Sequence, residues 1–393
     1  MNIEFYNCPE PLHLDPKILP KDKAEFLTYR PDFTAMQVVA NKYAEYKNIL
    51  VVGHGGSVSS FYGLYNALRR HVNEREAKNA FFLSTVDPDY IMDLEAELNP
   101  ADTLVVAISK SGEDTTQLEA LTQFWDFPIL VVTEKDTPLY HIAQKKKLDI
   151  VLHSAIGGRF TAFTETALLP ALLCGLDVQT IFRGGREVHA LYETNNLAWK
   201  AANVVWQLEQ NGVVDVLGFV YSHFLQYLSP LVVQLCHESF GKSGLGQTYS
   251  FSEGPEAQHH TLQRFLGGRK NVLGWFVGLT AGGNSAKTNY SPEIHSVVFH
   301  NQPLFNLNNL PLEQSMQFER TGMVEDAKLK NMPICSMALT ACSSLDVGKY
   351  IGFWQMFAVY SSILRGLNPF DQPEVESGKL ISFNKRLAYK GLL

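Results

Sequence analysis

Two short segments of this chain could hold an anion. Gly53-His54-Gly55-Gly56-Ser57 lies between an apolar run and a helical one. Glycines let a backbone come close to a ligand, and the helix start beyond them offers free N–H groups and a positive dipole end. The same residues also make a plain strand-to-helix turn. The third glycine of a dinucleotide-binding GxGxxG would fall at Val58, so that fingerprint is absent. Ser109-Lys110-Ser111-Gly112-Glu113-Asp114-Thr115-Thr116 sets four hydroxyls and one ammonium at another helix start. Hydroxyls and backbone N–H groups can surround a phosphate, or simply cap the helix. Two such loops at the carboxyl ends of strands in one sheet favour the ligand, because open α/β sheets bind there.

Four further segments carry acid–base chemistry. Arg159, on the turn Gly157-Gly158-Arg159-Phe160-Thr161, can reach into a cleft and hold developing oxyanion charge. Glu238 follows the apolar stretch Leu231-Val232-Val233-Gln234-Leu235-Cys236 and emerges where a helix leaves the core, the setting of a carboxylate base. Gly241-Lys242-Ser243 imitates a P-loop ending, but Cys236 stands where that motif needs glycine. His259 and His260 are adjacent and cannot point the same way, so one of them at most serves a site, where it could carry a proton near neutral pH. The Asn-Pro turn and second proline of Asn368-Pro369-Phe370-Asp371-Gln372-Pro373 fix an extended path that could deliver Lys379 rigidly.

These residues need a rigid scaffold, and the composition supplies one. The 393 residues are 46% hydrophobic, 19% charged and 11% aromatic, with a net charge of −7. That is a folded chain of two or three domain-sized units, and its acidic balance argues against a general nucleic-acid binder. Five cysteines without a CxxC pair argue against a disulfide framework, and no HExxH or similar set argues for a metal. The start of the chain lacks a basic-then-apolar leader, and the most apolar stretch, Thr166 to Val178, is broken by Pro170 and Asp177. It is too short to cross a bilayer, so a cytoplasmic protein is expected.

Apolar runs at Asn48–Gly53, Phe81–Thr85, Thr103–Ser109, Pro128–Glu134 and Asp149–His153 alternate with helical stretches. Continuous rather than alternating apolar character predicts parallel strands covered on both faces. The pattern restarts with a helical Val188–Asn211, a strand Val213–Phe219 and one long helix Ser222–Phe240. Strands at Asn271–Gly278, His295–His300 and Ile334–Leu339 and a helix near Leu312–Lys328 follow. The expected fold is α/β: two doubly wound αβα sandwiches, 1–185 and 186–345, and a C-terminal helical tail, 346–393, carrying Lys379.

Taken together, GGS, SKSG, GGRF, ESFGK, AQHHTLQ and NPFDQPEVESGK resemble the phosphoglucose isomerase family, built from two sugar-isomerase (SIS) domains. The matching pieces run in family order from Gly53 to Lys379, and Gln263, four residues after His259, favours that histidine over His260. The resemblance implies reversible isomerisation of glucose 6-phosphate and fructose 6-phosphate, with no metal or organic cofactor required. It implies Glu238 as the base that moves a proton between C1 and C2, Arg159 as the partner of the cis-enediolate, and His259 and Lys379 as ring-opening residues. One aimed donor contributes roughly 3–4 kcal/mol to such a step. The phosphate is expected on Ser57, Ser109, Lys110, Ser111 and one of Thr115 or Thr116, with backbone help from Gly55 and Gly56. A homodimer is implied, with His259 reaching the neighbouring subunit's site, and no nucleic acid or membrane partner. Three departures stand out: Glu113 and Asp114 lengthen the SKSG loop, Gly254-Pro255-Glu256-Ala257 replaces the usual residues before the QH pair, and His54 takes a position usually small or apolar. Two other functions fit the same fold: an isomerase that also accepts mannose 6-phosphate, and a non-catalytic sugar-phosphate sensor that needs the phosphate loops but no base.

Overall fold

A run of branched apolar residues with no polar alternation is stable only where helices cover both faces of its sheet. The computed structural model describes residues 1–19, 24–74, 76–281 and 286–392, with the backbone alone of Ser57. In chain order the strands are β1 (Asn2–Tyr6), β2 (Asn48–Gly53), β3 (Asn79–Leu83), β4 (Thr103–Ser109), β5 (Ile129–Thr133), β6 (Asp149–Leu152), β7 (Asp215–Tyr221), β8 (Thr248–Glu253), β9 (Val272–Leu279), β10 (Val298–Phe299), β11 (Gln302–Pro303) and β12 (Ile334–Leu339). The first sheet has the order β3-β2-β4-β5-β6 and all its pairs are parallel. Every residue of β4 and β5 is buried. The second sheet has the order β1-β12-β9-β7-β8, parallel except for β1. Both are doubly wound: the second strand of each unit flanks the first on one side and the third flanks it on the other.

In the first sheet that reversal falls between β2 and β4, which pair from Asn48 opposite Thr103 to Gly53 opposite Ile108. The crevice beyond their carboxyl ends is the place where such sheets bind ligands. The loops Gly53–Ser57 and Ser109–Thr116 leave the sheet there, so the topology sets both anion-loop candidates side by side.

Five expectations are corrected. Strand β1 falls inside the first expected unit but pairs antiparallel with β12, from Asn2 opposite Ala338 to Tyr6 opposite Ile334, at the edge of the second sheet. The expected tail begins with a 21-residue helix, Ser344–Leu364, in which all but a few residues are buried. It is apolar all round, and such a helix belongs in a core. Residues 295–300 form no sheet strand; they contribute β10 to an exposed two-stranded hairpin with β11. The single helix Ser222–Phe240 is two, His223–Gln226 and Ser229–Phe240, because Pro230 has no N–H to continue the first and suits the opening turn of the second. The expected helix Val188–Asn211 is likewise not continuous: its first two residues end the helix Val178–His189, and a separate helix runs Leu197–Gln210. Among the described residues no helix is long and apolar enough to cross a membrane.

Candidate active site

The helix Ser229–Phe240 presents a mixed face near its end. Gln234 and Glu238 stand four residues apart and therefore adjoin on one side of the helix. The Gln234 Nε2 donates to Glu238 Oε1 at 2.9 Å, and Ser59 Oγ donates to Gln234 Oε1 at 2.8 Å. The other carboxylate oxygen accepts from Arg159 Nη1 at 3.0 Å. A chain of hydrogen bonds thus runs from the helix behind the first glycine loop, through Gln234 and Glu238, to Arg159. The Glu238 side chain is about one-third exposed, whereas Arg159 is 3% exposed.

Arg159 lies in a short 3-10 helix, Gly158–Phe163, rather than on an open turn. Its guanidinium has five fixed donors, and the structure engages each nitrogen. Nε donates to Ser239 Oγ at 3.0 Å, Nη1 also to Gln372 Oε1 at 2.8 Å, and Nη2 to the carbonyls of Pro369 at 2.6 Å and Asp371 at 3.0 Å. Burial works against the charge of this group, and the Glu238 carboxylate beside it works for it. Lys242, 7% exposed, ties the same segment down: its Nζ donates to the carbonyls of Asn368 and Asp371 at 2.6 and 2.7 Å and to Asp371 Oδ1 at 2.5 Å. That ammonium holds the Asp371 carboxyl below the usual carboxylate range. The turn before Lys379 is therefore stapled to the two segments that carry Arg159 and Glu238.

The glycines of the first loop have particular duties. Gly55 has φ +55°, a backbone state that side chains other than glycine rarely adopt. A Cβ on Gly56 would lie 2.1 Å from the Gly158 carbonyl and 2.5 Å from the Arg159 nitrogen. Gly56 is thus required by the arginine segment packed against it. The Ser57 side chain lies outside the described residues.

In the second loop, Ser109 Oγ accepts from the Gly112 N–H and Ser111 Oγ from the Glu113 N–H, which leaves each hydroxyl proton for another acceptor. Lys110 Nζ donates to the Ala155 carbonyl at 2.6 Å and stands 3.7 Å from Glu134. Asp114 does not face away as a bare charge. It caps the helix Thr115–Leu121, accepting from the Gln117 N–H and from Thr116 Oγ1 at 2.8 Å, and His54 Nδ1 lies 3.5 Å away. Burial pushes this carboxyl up, but Gln117, Thr116, His54 and Lys379 together hold it below the usual carboxylate range. Thr116 spends its proton on Asp114 and lies 3.3 Å from His54 Nε2. Thr115 is half-buried at the first helical position.

Among the described residues, Lys379 and His259 make no hydrogen bond with the Arg159–Glu238 pair. Lys379 is exposed on the helix Glu376–Tyr389, 3.0 Å from Glu376. His259 is exposed at the end of the 3-10 helix Glu256–His259, just beyond β8. No hydrogen bond or ion pair among the described residues joins it to the Arg159–Glu238 pair. Gln234, Ser239, Lys242 and Gln372 were not expected in the site. The i, i+4 spacing of Gln234 to Glu238 was the available signal for the first; the second and third sit in the ESFGK motif. Among the described residues no group of three or more His, Cys, Asp or Glu could hold a metal ion.

No protein-family model matches the chain. It is 25% identical over 361 residues to a probable glucose-6-phosphate isomerase of Methanococcus maripaludis, covering 87% of this chain and 79% of that protein. The fold matches a crystal structure of a hypothetical protein from Thermus thermophilus at a TM-score of 0.82, with 25% identity, covering 95% of this chain and 89% of that one. It matches a glucose-6-phosphate isomerase from Chlamydia trachomatis at 0.76, with 20% identity, covering 97% and 77%. The two doubly wound units are thus the sugar-isomerase fold expected from the motifs, and the likeness spans nearly the whole chain.

Proposed function

We propose that this chain is a glucose-6-phosphate isomerase, interconverting glucose 6-phosphate and fructose 6-phosphate through a cis-enediolate. The observation that carries the reading is the contact between Arg159 and Glu238, a buried cation beside a part-exposed carboxylate, brought together from segments 79 residues apart. A base and an oxyanion donor side by side suit the removal of a proton next to a carbonyl. The similarity to proteins named for this reaction supports the same conclusion.

In this reading Glu238 removes the C2 proton of the open-chain aldose. The C–H electron pair forms the C1–C2 double bond and the carbonyl oxygen becomes an oxyanion, which the Arg159 guanidinium stabilises. Glu238 returns the proton to C1 while the 2-hydroxyl proton passes to the O1 oxyanion, so the C2 carbonyl and the C1 hydroxyl form together. The cyclic sugar opens first, when one group takes the proton of the C1 hydroxyl and another gives one to the ring oxygen; His259 and Lys379 fill these roles. The exposure of His259 on its own subunit fits its delivery to a neighbour's site in a homodimer. The phosphate sits against Gly55, Gly56, Ser57, Ser109, Lys110 and Ser111, with Thr115 rather than Thr116 as the threonine donor, since the Thr116 proton is already spent.

Purified protein should convert fructose 6-phosphate to glucose 6-phosphate in a dehydrogenase-coupled assay, and in heavy water should place deuterium at C2 of the product. Well-folded protein that binds sugar phosphate without either signal would be a sensor instead, and the isomerase reading would fall.

A further inference from the structure

The helix Glu376–Tyr389 has no buried residue, and Leu380, Ile381 and Tyr389 are 61%, 57% and 87% exposed. A 14-residue helix without a packed face has little to fix its orientation, since most helical stability in proteins comes from tertiary packing. Yet it carries Lys379, whose ring-opening role requires a defined position. The segment before it is held by Arg159 and Lys242 at Pro369, Asp371 and Gln372. Its far half is held by Arg386, whose Nε and Nη2 meet the two carboxylate oxygens of Glu119 at 2.5 and 2.7 Å while Nη1 donates to Ser382 Oγ at 2.6 Å.

We propose that Arg386 is a positioning residue for Lys379, clamping the lysine helix to the helix that opens with the phosphate loop. Lys379 and Arg386 are seven residues apart, close to two full turns, so they share one face. Turning Arg386 toward Glu119 turns Lys379 the same way. Glu119 belongs to the helix Thr115–Leu121, whose cap is Asp114. The Arg386–Glu119 contact sets the lysine helix against the helix that Asp114 caps, and the Asp114 carboxyl feels the charge of both Lys379 and Arg386. The two-point fork of a guanidinium on a carboxylate fixes an angle as well as a distance, and a lysine ammonium cannot. The role rests on the isomerase reading, because it acts through a ring-opening lysine.

The test compares Arg386→Ala, Arg386→Lys, Lys379→Ala, the Arg386→Ala/Lys379→Ala pair and the exchange Glu119→Arg/Arg386→Glu. Arg386→Ala should lower kcat about 10- to 100-fold, the range for misplacing a catalytic group by about an ångström, with KM and the thermal midpoint nearly unchanged. Arg386→Lys should recover only part of the loss, and the exchanged pair more of it. In the Lys379→Ala background, Arg386→Ala should cost nothing further. Losses that multiply there, or a raised KM at unchanged kcat, would overturn the proposal. Amide exchange across residues 376–389 reads the clamp without turnover: it should quicken about tenfold or more in Arg386→Ala and not in Lys379→Ala, and equal exchange in both would overturn it. Absence of turnover in the unaltered protein counts against the isomerase reading alone, while the exchange experiment still decides the clamp.

Discussion

Replacing Glu238 by glutamine removes a negative charge and keeps the side chain's size, which separates catalysis from structure. One carboxylate oxygen accepts from Gln234 at 2.9 Å and the other from Arg159 at 3.0 Å. A glutamine at 238 keeps one acceptor, which the arginine claims, and sets its own NH2 against the Gln234 NH2. Gln234 can reverse its amide, offering oxygen to residue 238 and NH2 to Ser59, whose hydroxyl either donates or accepts. The network therefore survives. What changes is that the guanidinium loses the carboxylate beside it and keeps only a neutral acceptor, while the Gln234 bond becomes neutral, together about 1–3 kcal/mol, and less because the carboxylate is one-third exposed. The thermal midpoint should fall by no more than about 2–4 °C. Turnover should respond differently, because an amide cannot take a proton from carbon. Loss of the base should lower kcat about 10²- to 10⁴-fold, or about 3–5.5 kcal/mol in barrier. The coupled assay gives kcat, and washout of deuterium from C2-labelled glucose 6-phosphate isolates the proton transfer. A variant that keeps more than a tenth of wild-type turnover and washes out the label at the wild-type rate would refute Glu238 as the base.

Arg159→Lys should be worse for the fold than Glu238→Gln. Three rotating donors cannot serve Ser239, Glu238, Gln372, Pro369 and Asp371 at once, so urea unfolding should show a loss of about 2–4 kcal/mol together with a kcat loss of about 10²–10³-fold. If His259 crosses to the neighbouring subunit, mixing inactive Glu238→Gln with inactive His259→Asn under subunit exchange should regain activity through one intact site per hybrid dimer; no regain at any ratio would keep the histidine at home. The buried His189, edge-on to Phe26 and Phe163 with Nε2 3.0 Å from Gln355, is pushed down to about 3 by burial. Below about pH 6.5 the unfolded chain binds a proton that the folded chain does not, so stability falls as pH drops from there toward 3. Urea unfolding at pH 7 and pH 5 should show the wild type losing about 2 kcal/mol more than His189→Gln over that interval, and equal losses would place the acid sensitivity elsewhere.

The first sheet was legible because its inner strands β2, β4 and β5 are mostly Val, Ile and Leu, a pattern that two-sided burial explains. Ser109 closes β4 as expected, and the two anion-loop candidates leave adjacent strands. The strand Asn2–Tyr6 was not legible, since its partner lies at the other end of the chain and nothing local names it. The helix Ser344–Leu364 was visible as a helix but not as core, because its place depends on which helices surround it. Arg159 and Glu238 were legible as separate chemical groups from their loop and helix-end positions. That they touch required the fold, as did the roles of Gln234 inside an apolar run and of Gln372 inside a proline-framed turn. Asp114 was visible only as one of two residues that lengthen the SKSG loop; as a helix cap beside His54 and Thr116 it is a structural acceptor.

The antiparallel pairing of Asn2–Tyr6 with Ile334–Leu339 also has a meaning for biosynthesis. The strand Asn2–Tyr6 is made more than three hundred residues before the strand it pairs with. Until then Asn2–Tyr6 has no seat, and a second sheet without it has an uncovered flank on which another nascent chain could settle. Completion of that sheet is thus late in the order of synthesis, and deleting Asn2–Tyr6 should promote clumping well before it dulls turnover.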